Sequence, residues 1–148
     1  MGQTDDAADA GAGGPGDDPR PFVFDVASTP GHTNEELLGA APDAEDLFAL
    51  LGRDLVTKAL VMTPRLSVFH ETAKPGERVE PHRHGTYQVN YVLRGELWFG
   101  SQRVGPDMGY FSPDDLYSWR AGEEGAEWIE IHDGIGGIHT DRPDRPGG

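Results

Sequence analysis

The chain has no cysteine. Disulfides, thiolate metal sites and a cysteine nucleophile are therefore excluded. Positive charge is scarce. Twelve Lys and Arg stand against 26 Asp and Glu, for a net charge of −14. A surface of that sign repels phosphate backbones, so nucleic acid is not an expected partner, and the plain consequence of the acidity is solubility. No run approaches the roughly 18 apolar residues of a membrane span, and the first residues lack the basic start and apolar stretch of a secretory signal. A membrane partner is not expected, and a cytoplasmic address is the default. Also missing are a phosphate-cradling glycine loop, a nucleophile elbow, a Ser-His-Asp order, an internal repeat and a helix-turn-helix segment beside the β-rich region.

What is present is enough for one domain with a core able to hold a ligand cavity, in 148 residues. Residues 1–20 are Ala, Gly, Asp and Pro with no apolar residue larger than Ala after Met1. That composition cannot bury enough surface to offset its ordering entropy, so the segment is expected to be a disordered tail. Residues 21–54 read as an arm with short helices. Phe22, Val23, Phe24 and Val26 suggest an edge strand or a docking arm. Thr33 or Asn34 can cap a first helix. Asp43 can cap a second, Ala44 to Leu51, which Gly52 ends. From residue 55 to about 140 the pattern changes to eight short β-like runs: 55–62, 66–72, 78–84, 88–93, 96–99, 109–111, 117–120 and 127–132. Turn residues separate them, including Arg94-Gly95 and Gly122 to Gly125. Such spacing predicts an all-β antiparallel sandwich or barrel. Residues 141–148 are expected to fray.

The chemistry concentrates in Pro81-His82-Arg83-His84-Gly85-Thr86-Tyr87-Gln88. On a strand, alternate side chains share a face, so His82 and His84 point one way and Arg83 the other. Two imidazoles with a third donor, Gln88, returning on the next strand can grip a divalent metal. Asn90 shares the face of Gln88 and, with Tyr117, is a candidate polar contact to a ligand. Glu71, Arg83, Arg94 and Arg103 are expected to face solvent.

The run Gly76, five residues, His82-Arg83-His84, three residues, Gln88, six residues, Gly95 resembles the first motif of the cupin superfamily, with Gln in place of the usual Glu. The likeness in pattern covers roughly residues 55–133. It implies a cupin-type antiparallel jelly-roll barrel with short N-terminal helices. It also implies a metal held by His82, His84 and Gln88. The second motif of the family is weaker here, pivoting on Pro113. Its histidine, the fourth ligand, falls on Ser118, or on Tyr117 if the loop is one residue shorter. The fourth ligand is therefore open between His70, slightly preferred, His132, Tyr117 and water, while His32 and His139 lie in loops. The expected cofactor is one divalent transition metal, Fe2+ first, with Zn2+, Ni2+ or Mn2+ as alternatives. The implied function is an enzyme acting on a small organic substrate. Oxygen insertion is slightly favoured on family frequency alone. The alternatives are redox-neutral Lewis-acid isomerisation or cyclisation, as in small cupins of polyketide pathways, and a non-catalytic ligand binder. Exposed strand edges and the habit of small cupins suggest a homodimer.

Overall fold

The structure, a computed structural model, describes residues 19–144. The expected 1–20 tail therefore lies almost wholly outside the described residues. Ten elements follow in order: β1 (His32–Thr33), α1 (Asn34–Leu38), α2 (Ala44–Leu51), β2 (Val56–Thr63), β3 (Leu66–Ala73), β4 (Arg78–His82), β5 (Gln88–Phe99), β6 (Gln102–Val104), β7 (Gly109–Ser112) and β8 (Tyr117–His132). Every strand pairing is antiparallel, in the order β1-β2-β3-β8-β5-β6, with β4 added on β8 and β7 on β5. This is the antiparallel jelly-roll architecture, and no helix among the described residues is long and apolar enough to cross a membrane.

Both helices form where their caps predict. The Thr33 hydroxyl accepts from the Glu36 N–H at 3.2 Å, and α2 follows Asp43 and stops at Gly52, whose φ is +74°. Asn34 ties the two together, its Nδ2 donating to the carbonyls of Leu51 and Gly52. The expected edge strand over Phe22 to Val26 does not form. The chain turns there instead, because the Asp25 carboxylate accepts from Ala27 N and its carbonyl from Thr29.

Two expected turns are not chain reversals. Arg94-Gly95 lies within β5, and Gly122 to Gly125 lies within β8. Register shifts flank Gly95, and both Gly95 and Gly125 have positive φ. They are bulges that bend two long strands rather than ends of short ones. The bend lets one half of β8 pair with β4 and the other with β3. The polar strand β6 carried no apolar alternation to announce it. The core lies at one end of the sheet, around Val92, Leu97, Trp119 and Trp128, with the two indoles edge to face at 5.0 Å.

Candidate metal and substrate site

The other end of the interior is polar. Alternation along β8 turns Trp128, Glu130 and His132 inward, and along β5 Gln88, Asn90 and Val92. Strand β4 ends at His82, and the chain leaves it so that His82 and His84 converge, their ring centroids 4.9 Å apart. The segment after β8 latches onto this motif: Gly137 N–H donates to the His84 carbonyl at 2.9 Å, and Arg83 and His139 exchange backbone hydrogen bonds.

Each histidine is oriented through its outer nitrogen. His82 Nδ1 donates to the Glu80 carbonyl at 2.8 Å, and His84 Nδ1 to the Gly137 carbonyl at 2.8 Å. Those bonds assign the Nδ1–H tautomer and leave each Nε2 lone pair free to accept. Burial lowers the pKa of both rings, His82 to about 4, so both are neutral at pH 7, the form that ligates metal. His84 Nε2 accepts from the Tyr117 hydroxyl at 2.9 Å. Tyr117 pairs with His82 across β4 and β8, which brings its ring to 4.7 Å from the His82 ring. Burial and then the charge of Glu130 raise its pKa well above the ordinary tyrosine value, so it is a neutral phenol. Gln88 is buried with Nε2 unpartnered, and Asn90, 1% exposed, has both amide atoms unpartnered. Buried amides without partners mark a place where a ligand, ion or water supplies the missing bonds.

The structure does not bring His70 to this cluster. Its neighbours Phe69 and Glu71 line the interior, so His70 faces out, where its Nε2 meets Glu127 at 2.7 Å. His132 does lie inside, 5.0 Å from the His84 ring, but both its nitrogens are engaged, Nδ1 with Thr86 Oγ1 at 2.7 Å and Nε2 with Glu130 at 3.1 Å. Two other expectations need correction. Glu71 is buried inside, not solvated, because it shares the inward parity of Phe69. Arg83 is mostly buried too, clamped between Asp114 and Asp141 at 3.1 Å each. Arg94 and Arg103 are exposed as expected.

Glu71 and Glu130 were the residues that sequence reasoning missed. Counting back by twos from His132 to the core Trp128 would have found Glu130. The two carboxyls differ in state. Burial, and then the neighbouring Glu130 charge, push Glu71 well above the usual carboxylate range, although Thr57 Oγ1 donates to it at 2.7 Å. Burial also acts to raise Glu130, the hydrogen bond from His132 acts against it, and the net shift is downward. The two carboxyls are therefore pushed in opposite directions, Glu71 toward the neutral acid and Glu130 toward the anion. Both line two adjoining cavities of about 220 and 170 Å³, which also share Thr57, His84 and Ile138. Neither lining contains Lys or Arg. A larger depression of about 560 Å³ lies outside, beside Trp98 and Arg120, and touches none of these groups.

Among the described residues, no three His, Cys, Asp or Glu side chains are arranged to hold a metal ion. The set that converges is mixed: two neutral imidazoles, an amide and a phenol. Nitrogen and neutral oxygen donors of this kind suit a divalent transition metal, to which Gln88 would turn its carbonyl oxygen.

No protein-family model and no curated protein matches the chain. Solved structures do. An RmlC-like cupin from Shewanella frigidimarina is 19% identical, over 55% of this chain and 77% of that one, with a TM-score of 0.51. The polyketide cyclase RemF from Streptomyces resistomycificus is 15% identical over 62% and 73%, TM-score 0.52. A deletion mutant of Bacillus subtilis oxalate decarboxylase OxdC is 20% identical over 58% of this chain and only 28% of that one, TM-score 0.51. These likenesses establish a cupin-type fold.

Proposed function

We propose that this cupin-fold chain is a metal-dependent enzyme that converts a small organic molecule inside the barrel by redox-neutral proton transfer. His82, His84 and Gln88 would hold one divalent transition metal, with Tyr117 beside them. The metal, when bound, supplies a Lewis acid that polarises a substrate carbonyl or enol oxygen. The rest is work for the chain's own groups. Asn90 offers a donor and an acceptor to the substrate. Glu130, oriented by His132, takes a proton from carbon next to the carbonyl, and Glu71 delivers one to oxygen. A C–H bond breaks and an O–H bond forms, with no change of oxidation state. Transfer of the proton from Glu130 to a different carbon, with the O–H proton returning to Glu71, completes an isomerisation and restores both carboxyls. The observation that carries this reading is the acid and anion lining the same small cavities as the two inward Nε2 atoms. The cavity size favours a single-ring or smaller substrate, and the lack of Lys and Arg disfavours phosphorylated ones. The structural likeness to a polyketide cyclase is compatible with the same chemistry.

The first test is metal content of the purified protein. Wild type should carry close to one equivalent, and His82→Ala and His84→Ala should each lose it while keeping the fold by circular dichroism. Retention in both variants would place the metal elsewhere. Oxygen electrode measurements against a panel of phenols and diketones come second. Substrate-dependent oxygen uptake would replace proton transfer by the oxygen-insertion chemistry that family frequency suggests.

A further inference from the structure

Past β8 the chain returns across the polar end of the barrel as a short strap, residues 134–139, fastened along its length. Ser67 Oγ donates to the Gly134 carbonyl at 2.7 Å. Gly137 N–H donates to the His84 carbonyl and His139 N–H to the Arg83 carbonyl, each at 2.9 Å. Gly136 lies so close to the metal motif that a Cβ on it would stand 3.0 Å from the His84 Cβ, so the strap needs glycine there. Arg83 completes the fastening. Its side chain is 12% exposed, and its guanidinium spans two carboxylates at 3.1 Å, Asp114 before β8 and Asp141 just past the strap. Its Nε also donates to the Asp141 carbonyl at 2.7 Å. The strap carries two isoleucines that line the interior cavities and yet reach solvent, Ile135 at 58% exposed and Ile138 at 37%. A side chain with both properties stands between cavity and solvent. Thr57, Glu71, His84 and Glu130 line both cavities and each brings a polar group; among the described residues, Ile138 is the one hydrocarbon side chain that the two linings share.

We infer that Ile138 is the specificity-determining side chain of this site, and that Arg83 is the positioning residue that holds it there. The inference rests on the reading of these cavities as the place where substrate binds. A substrate's polar head is drawn to Glu71, Glu130 and His84, which leaves its carbon body against Ile138, with Met62, Phe69 and Ile135 beside it. An apolar wall discriminates by size rather than by bonds, by about tenfold or more per methylene. The class selected is a small phenol, enol or ketone with a short hydrocarbon end. A loop free to swing would yield to a longer one; a strap bonded to the motif and clamped at its end sets a fixed length. Arginine suits the clamp because its guanidinium forks across two carboxylates, where a lysine ammonium is a single point charge. The clamp also gives a reason for burying a charge at Arg83, whose side chain alternates away from the face of His82 and His84.

Calorimetric titration of para-alkylphenols, from para-cresol to para-hexylphenol, into the full chain as purified tests this. Wild type should bind the short members and lose about tenfold or more in affinity at the first homologue too long for the wall. Ile138→Ala should move that cut-off to a longer chain and Ile138→Phe to a shorter one. Leu93→Ala, at an exposed leucine outside both linings, should leave it in place. Arg83→Gln should keep the circular dichroism spectrum, speed hydrogen exchange at the Gly137 and His139 amides, and flatten the dependence on chain length. Asp141→Asn, at an exposed carboxylate, should do the same more weakly, and Arg83→Lys should recover only part of the selectivity. A cut-off that stays put in Ile138→Ala, or selectivity untouched in Arg83→Gln, would overturn the inference. So would a wild type that binds no member of the series. Metal content separates this inference from the reading beneath it. A cut-off that moves in protein without metal sinks the metal-dependent enzyme and leaves Ile138 in its role. One equivalent of metal with an unmoved cut-off does the reverse.

Discussion

Gln88 shows how one atom changes a site. A carboxylate there would add a full negative charge; the amide offers only a neutral carbonyl oxygen. A metal held here would be bound less tightly and stay more electrophilic. Gln88→Glu should therefore tighten metal binding in a chelator competition and slow turnover of substrates that react as anions. Unchanged affinity would mean that Gln88 orients a neighbour rather than touching metal. Glu71 allows a prediction without substrate, in metal-free protein. Its folded pKa is raised, so at pH above its unfolded value near 4.5 the folded state binds more protons than the unfolded one, and stability falls as pH rises through that window. Glu71→Gln keeps the shape and the Thr57 bond without the ionisation. Urea melts of the variant should lose that decline and match or exceed wild type at neutral pH. An unchanged decline would mean that the carboxyl ionises in the fold as it does in the unfolded chain. At this scale the sequence was readable where spacing had a consequence. His82 and His84 converge because i and i+2 share a strand face. His70 and Glu71 were misread because the parity of a strand is set by its neighbours, and only the packed sheet shows that Phe69 faces in.

Glycine governs the elements. The turns expected at Gly95 and Gly125 were legible as points where the backbone departs from regular strand. That they are bulges, not ends, depends on three strands meeting. A Cβ on Gly125 would lie 2.5 Å from the Ala73 carbonyl oxygen, at a φ of +75°. Gly125→Ala should combine the left-handed backbone cost with overpacking, about 3 kcal/mol together. Gly100, in the β5–β6 hairpin, has a similar φ of +62° and open space around its Cβ. Gly100→Ala should cost only the backbone part, about 1 to 2 kcal/mol. Equal losses in thermal or urea melts would show that the crossing of β5, β8 and β3 is not tight. The helices were legible for a simpler reason: Thr33 caps α1 and Gly52 ends α2 locally, although Asp43 precedes α2 without making the expected capping bond. Strand β6 was not, since its place rests on pairing with β5 rather than on its own residues.

The whole molecule divides a long-range charge problem from a short-range packing one. The roll of the sheet and the polar end of its interior belong to residues 19–144. The all-β antiparallel class was legible from turn spacing, while the jelly roll itself came only with the resemblance of the Gly76 to Gly95 run to the cupin motif. Which parity would face in was not, because the two become distinct only after closure. The acidic excess is distributed differently. Residues 1–18 contain five aspartates and no basic residue, so their removal takes the net charge from −14 to −9. They contain almost nothing to bury. Deleting them should leave the melting temperature within about 2 °C of wild type and metal content unchanged. Thermal melts and elemental analysis of the truncated and full chains measure this. A melting temperature lowered by about 5 °C or more would show that the segment packs on the barrel despite its composition. In that event Met1 and the small residues would deserve substitution next.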